Sequence, residues 1–570
     1  MHVVATAGHV DHGKSTLVRC LTGQEPDRLA EERRRGLSIE LGYAWTGLPR
    51  SGEVAFVDVP GHERFLSTTL AGLGPVRVAL LVVAADDPWM PQAAEHLAAL
   101  DALDVRTGVV AVTRADLADP GPMLARAEQE VRRTSLAGAP VVAVSARTGA
   151  GLEALRAALD DVLTGDRPDP GADVRLWVDR VFPVTGAGTV VTGTLPEGTV
   201  AVGDSLALAE QATRVRGLEA LGRERDEVSG AARVALRLGR HAPAGLGRGS
   251  VLVTPDAFAP VTLVDVRLRG TGTPPERPLL HVGSARVAVH ARPLGDGHAR
   301  LHLPAPLPLR HGDRVVLRDP GSRVLWGAEV LDGAPPPLAR RGAARDRAAA
   351  LRSWRADLAG EVERRGAVRR DLLTRLGVEG DPPPDALECG GWLVSATHAE
   401  AWRTALRDAV GRSPDGISPA AAARAVGLPD VDLVAALVSD PVRHRGGRLV
   451  VESDLPEPLR HALEALRTDL AEAPFRAPDT ERLAALGLDR AALARLARDG
   501  ELLVVGEGVA LLAGADSAAY DVLRRLPQPF TTSEARQALG TSRRVVLPLL
   551  AHLDRTGRTV RLPDDSRRVR

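Results

Sequence analysis

The stretch GHVDHGKST, residues 8–16, decides the reading of the first third of the chain. Gly8 to Ser15 spells G-x-x-x-x-G-K-S, directly after the apolar run VVATA (3–7) and before the helix-like KSTLVRCLTG (14–23). A strand, a glycine loop and a helix in that order let backbone N–H groups of residues 8–13 (Gly8, His9, Val10, Asp11, His12, Gly13) close around nucleotide phosphates. Lys14 reaches the terminal phosphates and Ser15 supplies a hydroxyl to Mg²⁺. Lys14 is also the sole lysine among 73 basic residues, the rest being arginine. A compact ammonium on a flexible stem fits between phosphates in a tight loop, where a planar guanidinium fork is too wide.

Outward from the loop, VAFVDV (54–59), VALLVVAA (78–85), GVVAV (108–112) and PVVAV (140–144) are further short apolar runs, separated by helical patterns such as QAAEHLAALDAL (92–103). Buried strands alternating with helices predict a parallel α/β sheet. In DVPGH (58–62), Asp58 at a strand end can hold the Mg²⁺ shell through water, Gly61 can offer its N–H to a γ-phosphate, and His62 can orient an attacking water. TRAD (113–116) follows the apolar run GVVAV (108–112). There, Asp116 can accept N1–H and N2–H of guanine, and Arg114 can stack on the base. Alone, TRAD reads equally well as a helix cap. Its strand position and order favour the base contact.

At 570 residues the chain exceeds one core. GDRPDPGAD (165–173) reads as a linker into Gly- and Pro-punctuated, Val-rich strands that suit two small β-barrels. DGAPPPLARRGAARD (332–346) reads as a second linker, followed by Ala-, Leu- and Arg-rich helices with brief strand pairs at RHRGGRLVVES (443–453) and LLVVGEGVALL (502–512). A period of roughly 50–60 residues suits tandem winged-helix modules. The expected parts are a P-loop domain (1–168), two barrels (174–257 and 258–335) and four winged helices (345–410, 411–455, 456–514 and 515–570). Formal charge is zero overall, so no whole-molecule field points to nucleic acid, yet residues 517–570 carry 11 Arg against 5 acidic residues. Two cysteines, no signal-peptide pattern and no apolar run of membrane-spanning length lead to the expectation of a cytoplasmic protein.

GHVDHGKST, RRRGLSIELG (33–42), DVPGHERF (58–65), DDPWMPQAAEHL (86–97) and TRAD together resemble the translational GTPases of the elongation factor Tu type. The resemblance implies that Lys14, Ser15 and Thr16 bind phosphate and Mg²⁺, and that Ser38 reaches the metal when GTP is bound. It implies further that Val10 and Leu37 form an apolar gate beside His62, and that Thr113, Arg114, Asp116, Ser145 and Ala146 hold guanine. Ser38 stands where the family has Thr, and Thr113 and Arg114 where it has Asn and Lys. The hydroxyl at 38 survives, and guanine selectivity leans more on Asp116.

RGLSIELGYAW, DVPGHERFLSTTLAGLG, WVDRVFPVTGAGTVVTGTL (177–195) and the closing segment 530–570 are similar, more narrowly, to the selenocysteine-specific elongation factors of bacteria. This implies partners: selenocysteinyl-tRNA, a selenoprotein mRNA hairpin beside a UGA codon, and the ribosome, with no membrane and a monomer as the default. A selenol ionises more readily than serine's hydroxyl, so a fixed cation discriminates between them. Asp179, Arg180 and Arg233 are the candidates, with Asp179 orienting an arginine; an exposed ion pair on a barrel strand would read the same way. In LGTSRRVVLPLLAHLDR (539–555), Arg543 and Arg544 open a candidate recognition helix, with Arg558, Arg561, Arg567 and Arg568 on its wing. A solvated Arg-rich tail is the bland alternative. Two other readings stay open: another tRNA-carrying translational GTPase, and a nucleotide-switched winged-helix regulator of DNA.

Overall fold

A computed structural model describes residues 1–26, 38–184, 188–239, 242–322, 324–413, 416–451 and 455–570. The chain divides into two compact units, residues 1–386 with 391–393, and 387–390 with 394–570.

The first unit begins with a six-stranded sheet: β1 (His2–Ala7), β2 (Gly42–Leu48), β3 (Gly52–Asp58), β4 (Val78–Ala84), β5 (Thr107–Thr113) and β6 (Val141–Ala143), in spatial order β2-β3-β1-β4-β5-β6. All neighbours pair in parallel except β2, which runs antiparallel to β3. Among the described residues the α-helices are α1 (Lys14–Thr22), α2 (Leu66–Leu73), α3 (Pro91–Ala102), α4 (Gly121–Val131) and α5 (Leu152–Gly165). All seven residues of β4 are buried, because helices cover both faces. The period of two sends Leu81 and Val83 toward Leu97 and Leu100 of α3, and Leu80 and Val82 toward Leu17 of α1 and Leu155 and Leu159 of α5. Each fully buried leucine is worth about 1.5–3 kcal/mol of transfer free energy. Strand β2 escapes a search for apolar runs: GYAWTGL is a one-partner edge strand carrying two glycines and a threonine. The carboxyl ends of β1, β3 and β5 deliver the phosphate loop, Asp58 and Thr113 to one rim of the sheet, where open α/β sheets bind ligands.

Two all-β bodies follow. In the first, the pairing of Ser205–Leu208 with Gln211–Ala220 closes a seven-stranded sheet that also contains Arg175–Val184, Gly188–Leu195 and Ala232–Leu238. Strict alternation of burial along Ala232–Leu238 marks a wall with one face inward. The second, between Val261 and Asp332, is another seven-stranded sheet. Its core takes in Trp177 and Val251 of the first, so the two bodies share apolar surface. Gly283 is obligatory there, since a Cβ would collide with the Trp177 indole.

The expected linker 332–346 is partly built into the fold. A helix spans Ala343–Arg352, and Ala348, Leu351 and Trp354 pack with Leu294 and Leu331 of the second β body. Buried Asp265 receives Arg300 and Arg347, both at 2.7 Å, while Asp332 receives Arg365 at 2.7 Å. Residues 343–386 therefore count with the barrels, whereas the sequence reading assigns 345–410 to one module. These ion pairs join residues 35, 82 and 33 positions apart, pairings that no local pattern in a Pro- and Arg-rich stretch reveals.

In the second unit a theme of three helices and a hairpin recurs three times. The hairpins are Val442–Arg445 with Arg448–Val451, Leu502–Gly506 with Val509–Leu512, and Thr559–Arg561 with Arg567–Val569. The first two coincide with the strand pairs read from the sequence. The last two repeats are not separate bodies: one core runs from Ala462 to Leu553, with Leu466, Leu496, Phe530, Val546 and Leu550 all buried.

Candidate nucleotide site and neighbouring pockets

Helix α1 starts at Lys14 behind Gly13 (φ +86°), with no side chain capping its first turn, so its leading N–H groups face outward. Gly8 (φ +134°) lies against the Val82 carbonyl, where a Cβ would not fit. Gly61 presses on the loop from across the rim: a Cβ there would stand 2.5 Å from the Val10 nitrogen and collide with Lys14 Nζ. Lys14 is almost fully buried and donates to the carbonyls of Gly8 (3.1 Å) and His9 (2.8 Å), which ties the loop to its own helix. Gly13, Lys14 and Gly61 help to wall a cavity of about 940 Å³. Val10, Asp11, Gly13, Lys14, Ser15, Thr16, Ser38 and Gly61 line one part of it, and Thr113, Arg114, Asp116 and Ala146 another.

The three expected metal residues converge. Ser15 Oγ donates to Asp58 Oδ2 at 2.6 Å and lies 3.2 Å from Ser38 Oγ, and Thr6 Oγ1 donates to Asp58 Oδ1 at 2.6 Å. Burial pushes the Asp58 carboxyl up, with Lys14 and the two hydroxyls pulling against it. Two hydroxyls around an anionic carboxylate form an all-oxygen donor set suited to a hard divalent cation.

His62 does not line this cavity. Its Nδ1 accepts the Arg64 N–H at 3.2 Å, and its ring packs edge-on to Phe65 at 6.0 Å, so it caps the short helix Glu63–Phe65 instead. Of the expected gate, Val10 lines the cavity and Leu37 lies outside the described residues.

At the other end Thr113 and Arg114 act as supports. The buried Thr113 hydroxyl faces the carbonyls of His12 (2.7 Å) and Val83 (3.1 Å), bracing the phosphate loop. Arg114 (φ +57°) bonds the Asp11 carbonyl and Asp86 (3.1 Å), so its guanidinium is held at the loop rather than left free. Asp116 accepts from Ser145 Oγ at 2.6 Å and Arg147 Nε at 2.7 Å, and these bonds hold its carboxyl below the usual range. The Ala146 carbonyl is 3.5 Å from Cys20 Sγ.

Behind the loop lies a histidine group that the sequence reading did not assemble. His96, on α3 and fully buried, accepts the Gly8 N–H through Nδ1 at 2.9 Å; burial, then Lys14 and His9, depress it to about 3. His12, wholly buried, meets His9 edge-on at 4.9 Å, and burial followed by His9 lowers it to about 4. His9 is lowered too, by burial and Lys14. The available signal for His96 was a histidine inside an otherwise apolar helix, QAAEHLAAL.

Asp179, Arg180 and Arg233, expected to form an amino-acid pocket, lie close together. Asp179 forms a bidentate pair with Arg233, one arm at 2.7 Å, and takes a further bond from Thr192 at 2.7 Å. The Arg233 guanidinium lies 4.0 Å from the Tyr43 ring centroid, and Arg180 lies 5.2 Å from it. Burial works against the Arg233 charge, but Asp179 outweighs it and the group is raised. Arg180 donates to the Leu41 carbonyl at 2.8 Å and pairs with Glu40 at 3.1 Å. Both arginines are thus tied to the segment immediately following Ser38, and a cavity of about 460 Å³ opens over Tyr43, Asp179, Arg180 and Arg248.

Residues 1–164 match the family model of the elongation factor Tu GTP binding domain. Over 386 residues the chain is 31% identical to translation initiation factor 2 subunit gamma of Thermococcus kodakarensis, covering 56% of this chain and 94% of that protein. The chain belongs to the translational GTPases of the elongation factor Tu type. Its first 164 residues are the GTP-binding domain of such a protein. Within the translational GTPases it is 41% identical over 349 residues to the selenocysteine-specific elongation factor of Escherichia coli K12, covering 60% of this chain and 56% of that one. The chain thus spans little more than half the length of that relative. Residues 521–568 match the winged helix of elongation factor SelB. The crystal structure of a bacterial selenocysteine-specific elongation factor superposes over 100% of both chains with a TM-score of 0.73 at 24% identity, which establishes a shared fold.

The last module of this translational GTPase redistributes the expected RNA-facing arginines. Arg543 opens the helix Arg543–Arg555 and is exposed. Arg544 is turned away from that role: it donates to the carbonyls of Pro478 (2.6 Å), Ala477 (2.9 Å) and Gly508 (3.1 Å), fastening this helix to the preceding repeat. Arg558 bonds Ser517 at 2.9 Å, Arg561 pairs with Asp565 at 2.6 Å, and the nearly buried Arg567 holds Asp554 at 2.9 Å. Arg567 is thus a structural residue, while Arg568 is exposed. Among the described residues no helix is long and apolar enough to cross a membrane.

Proposed function

We propose that the chain is a GTP-dependent elongation factor that carries selenocysteinyl-tRNA to ribosomes at a UGA codon marked by an mRNA hairpin, hydrolysing GTP to GDP on delivery. The observation that carries this reading is Arg233, held by Asp179 and laid on Tyr43, beside Arg180 hooked to the backbone just past Ser38. A selenolate is an anion at neutral pH and seryl oxygen is not, so two fixed guanidinium groups favour the selenocysteinyl form.

In the mechanism, the N–H groups of residues 8–16 and Lys14 hold the phosphates, and Asp116 reads the guanine edge. Ser15 and Ser38 would ligate Mg²⁺ and Asp58 would hold its water shell; the ion, when bound, neutralises charge between the phosphates. Ser38 thereby senses the nucleotide, and the short segment from Ser38 to Tyr43 transmits its position to Arg180 and Arg233. His62 must leave the Arg64 N–H and turn inward before it can orient a water, so hydrolysis awaits the ribosome. The exposed Arg543 end of the last helix suits contact with RNA phosphates.

An initiator-tRNA carrier is favoured by the 94% coverage of the initiation-factor subunit, but it leaves the arginine pocket and the terminal repeats without a task. Hydrolysis measured on UGA-programmed ribosomes, with and without an adjacent hairpin in the mRNA, tests the proposal. Stimulation that requires the hairpin supports it; equal stimulation on both removes the hairpin from the account.

A further inference from the structure

Asp116 is the group assigned above to guanine, yet both of its oxygens already have partners. Oδ1 accepts from Ser145 Oγ at 2.6 Å and Oδ2 from Arg147 Nε at 2.7 Å. Guanine presents two N–H donors to this carboxylate, and the Arg147 Nε–H is a donor of the same kind. Asp116, Ala146 and Arg147 line the same cavity.

Resting on the guanine-nucleotide reading of that cavity, we propose that Arg147 is a latch: its guanidinium holds the Asp116 oxygen that a base would need and competes with the incoming base. The two contacts on Asp116 differ in character. The Ser145 hydroxyl is integral to its loop, since it also accepts the Thr148 N–H at 3.1 Å, while the backbone closes through Ser145 N to Ala150 O and Gly149 N to Ser145 O, both at 2.9 Å. That bond persists when the base arrives. The Arg147 side chain is 75% exposed and can swing into water without disturbing the loop. Neighbouring Arg114 does not compete, because Asp86 and the Asp11 carbonyl already hold it away from Asp116.

A latch of this kind slows association and leaves dissociation alone. Only the unlatched fraction accepts nucleotide, so the apparent dissociation constant rises by the inverse of that fraction. For an exposed ion pair the factor is about threefold to fivefold. Salt screens such a pair, so the factor shrinks as ionic strength rises.

The test is stopped-flow binding of a fluorescent GDP to the full chain and to Arg147→Ala, at 50 mM and 500 mM salt. The proposal predicts an association rate constant about threefold to fivefold higher in the variant at low salt, an unchanged dissociation rate constant, and convergence of the two proteins at high salt. Slower association, faster dissociation or an unchanged affinity in Arg147→Ala would overturn it, since each means that Arg147 contacts the bound base or does nothing. Arg147→Gln, which keeps a shorter neutral donor, is expected to fall between the two. Failure of the wild-type chain to bind GDP at all would instead overturn the guanine-nucleotide reading on which the latch rests.

Discussion

Substituting His96 by leucine tests how the phosphate loop is supported. Leucine is close in volume and suits the apolar surroundings of α3, where Leu97 and Leu100 are already buried, so the change removes an acceptor and leaves little cavity. The Gly8 N–H then loses its 2.9 Å bond to Nδ1. A buried donor left without a partner costs about 1–3 kcal/mol. Two outcomes share that cost. If the loop holds its shape, the penalty shows as a lower unfolding free energy. If Gly8 shifts to find water, the amides of residues 8–16 are displaced and guanine-nucleotide affinity falls, by roughly fivefold to a hundredfold for the same free energy. Urea unfolding of the nucleotide-free chain and equilibrium titration with a fluorescent GDP read the two components. His96→Gln, which can place an oxygen near the same N–H, should recover part of the loss. A His96→Leu protein with unchanged stability and affinity would refute the claim that this histidine holds the loop.

Acid should destabilise the fold through the same group. His96 has a folded value of about 3 against 6.5 when free, so below pH 6.5 the unfolded chain takes up a proton that the folded chain refuses. Stability then falls with pH from about 6.5 to about 3, by about 1.4 kcal/mol per unit, and His12 adds a similar slope down to about 4. Unfolding curves between pH 7 and 4 should be flatter in His96→Gln than in the parent, and parallel curves would contradict the assignment. His62→Ala should bind GTP as the parent does and lose ribosome-stimulated hydrolysis; retained stimulated turnover would remove His62 from the chemistry. In the last module, Arg543→Ala should weaken hairpin RNA binding at unchanged stability. Arg544→Ala should instead cost roughly 0.5–1.5 kcal/mol of stability, since it removes hydrogen bonds to three carbonyls of the preceding repeat. Gel-shift and thermal-unfolding measurements on the pair would expose a reversed assignment.

Much of the nucleotide site was legible because its demands are local. A glycine loop between strand and helix, an aspartate at a strand end and a serine after the last strand are each set by a few adjacent residues, and the fold brings Ser15, Ser38 and Asp58 together. His96 was not legible, since its partner Gly8 is 88 positions away and a histidine on an apolar helix face has no signature of its own. TRAD was read for its resemblance to a base-binding motif. The structure gives Thr113 and Arg114 mainly to the loop carbonyls of His12 and Asp11, which only the folded rim brings within reach. Arg544 failed for a similar reason: charge in a sequence does not say which carbonyls lie nearby. The shared core of the last two repeats also changes how the tail must be tested. Deleting residues 517–570 would remove part of the core shared with Leu466 and Leu496 of the preceding repeat, so point substitutions are the informative experiment on the tail.

On the proposed reading the chain is a charge-reading carrier of one aminoacyl-tRNA. The most direct test is the affinity of the GTP-bound chain for a single selenocysteine tRNA charged with selenocysteine or with serine. A charge-reading pocket gives a large preference for the selenocysteinyl form, sharply reduced in Arg233→Ala. Equal affinity for both forms would contradict it.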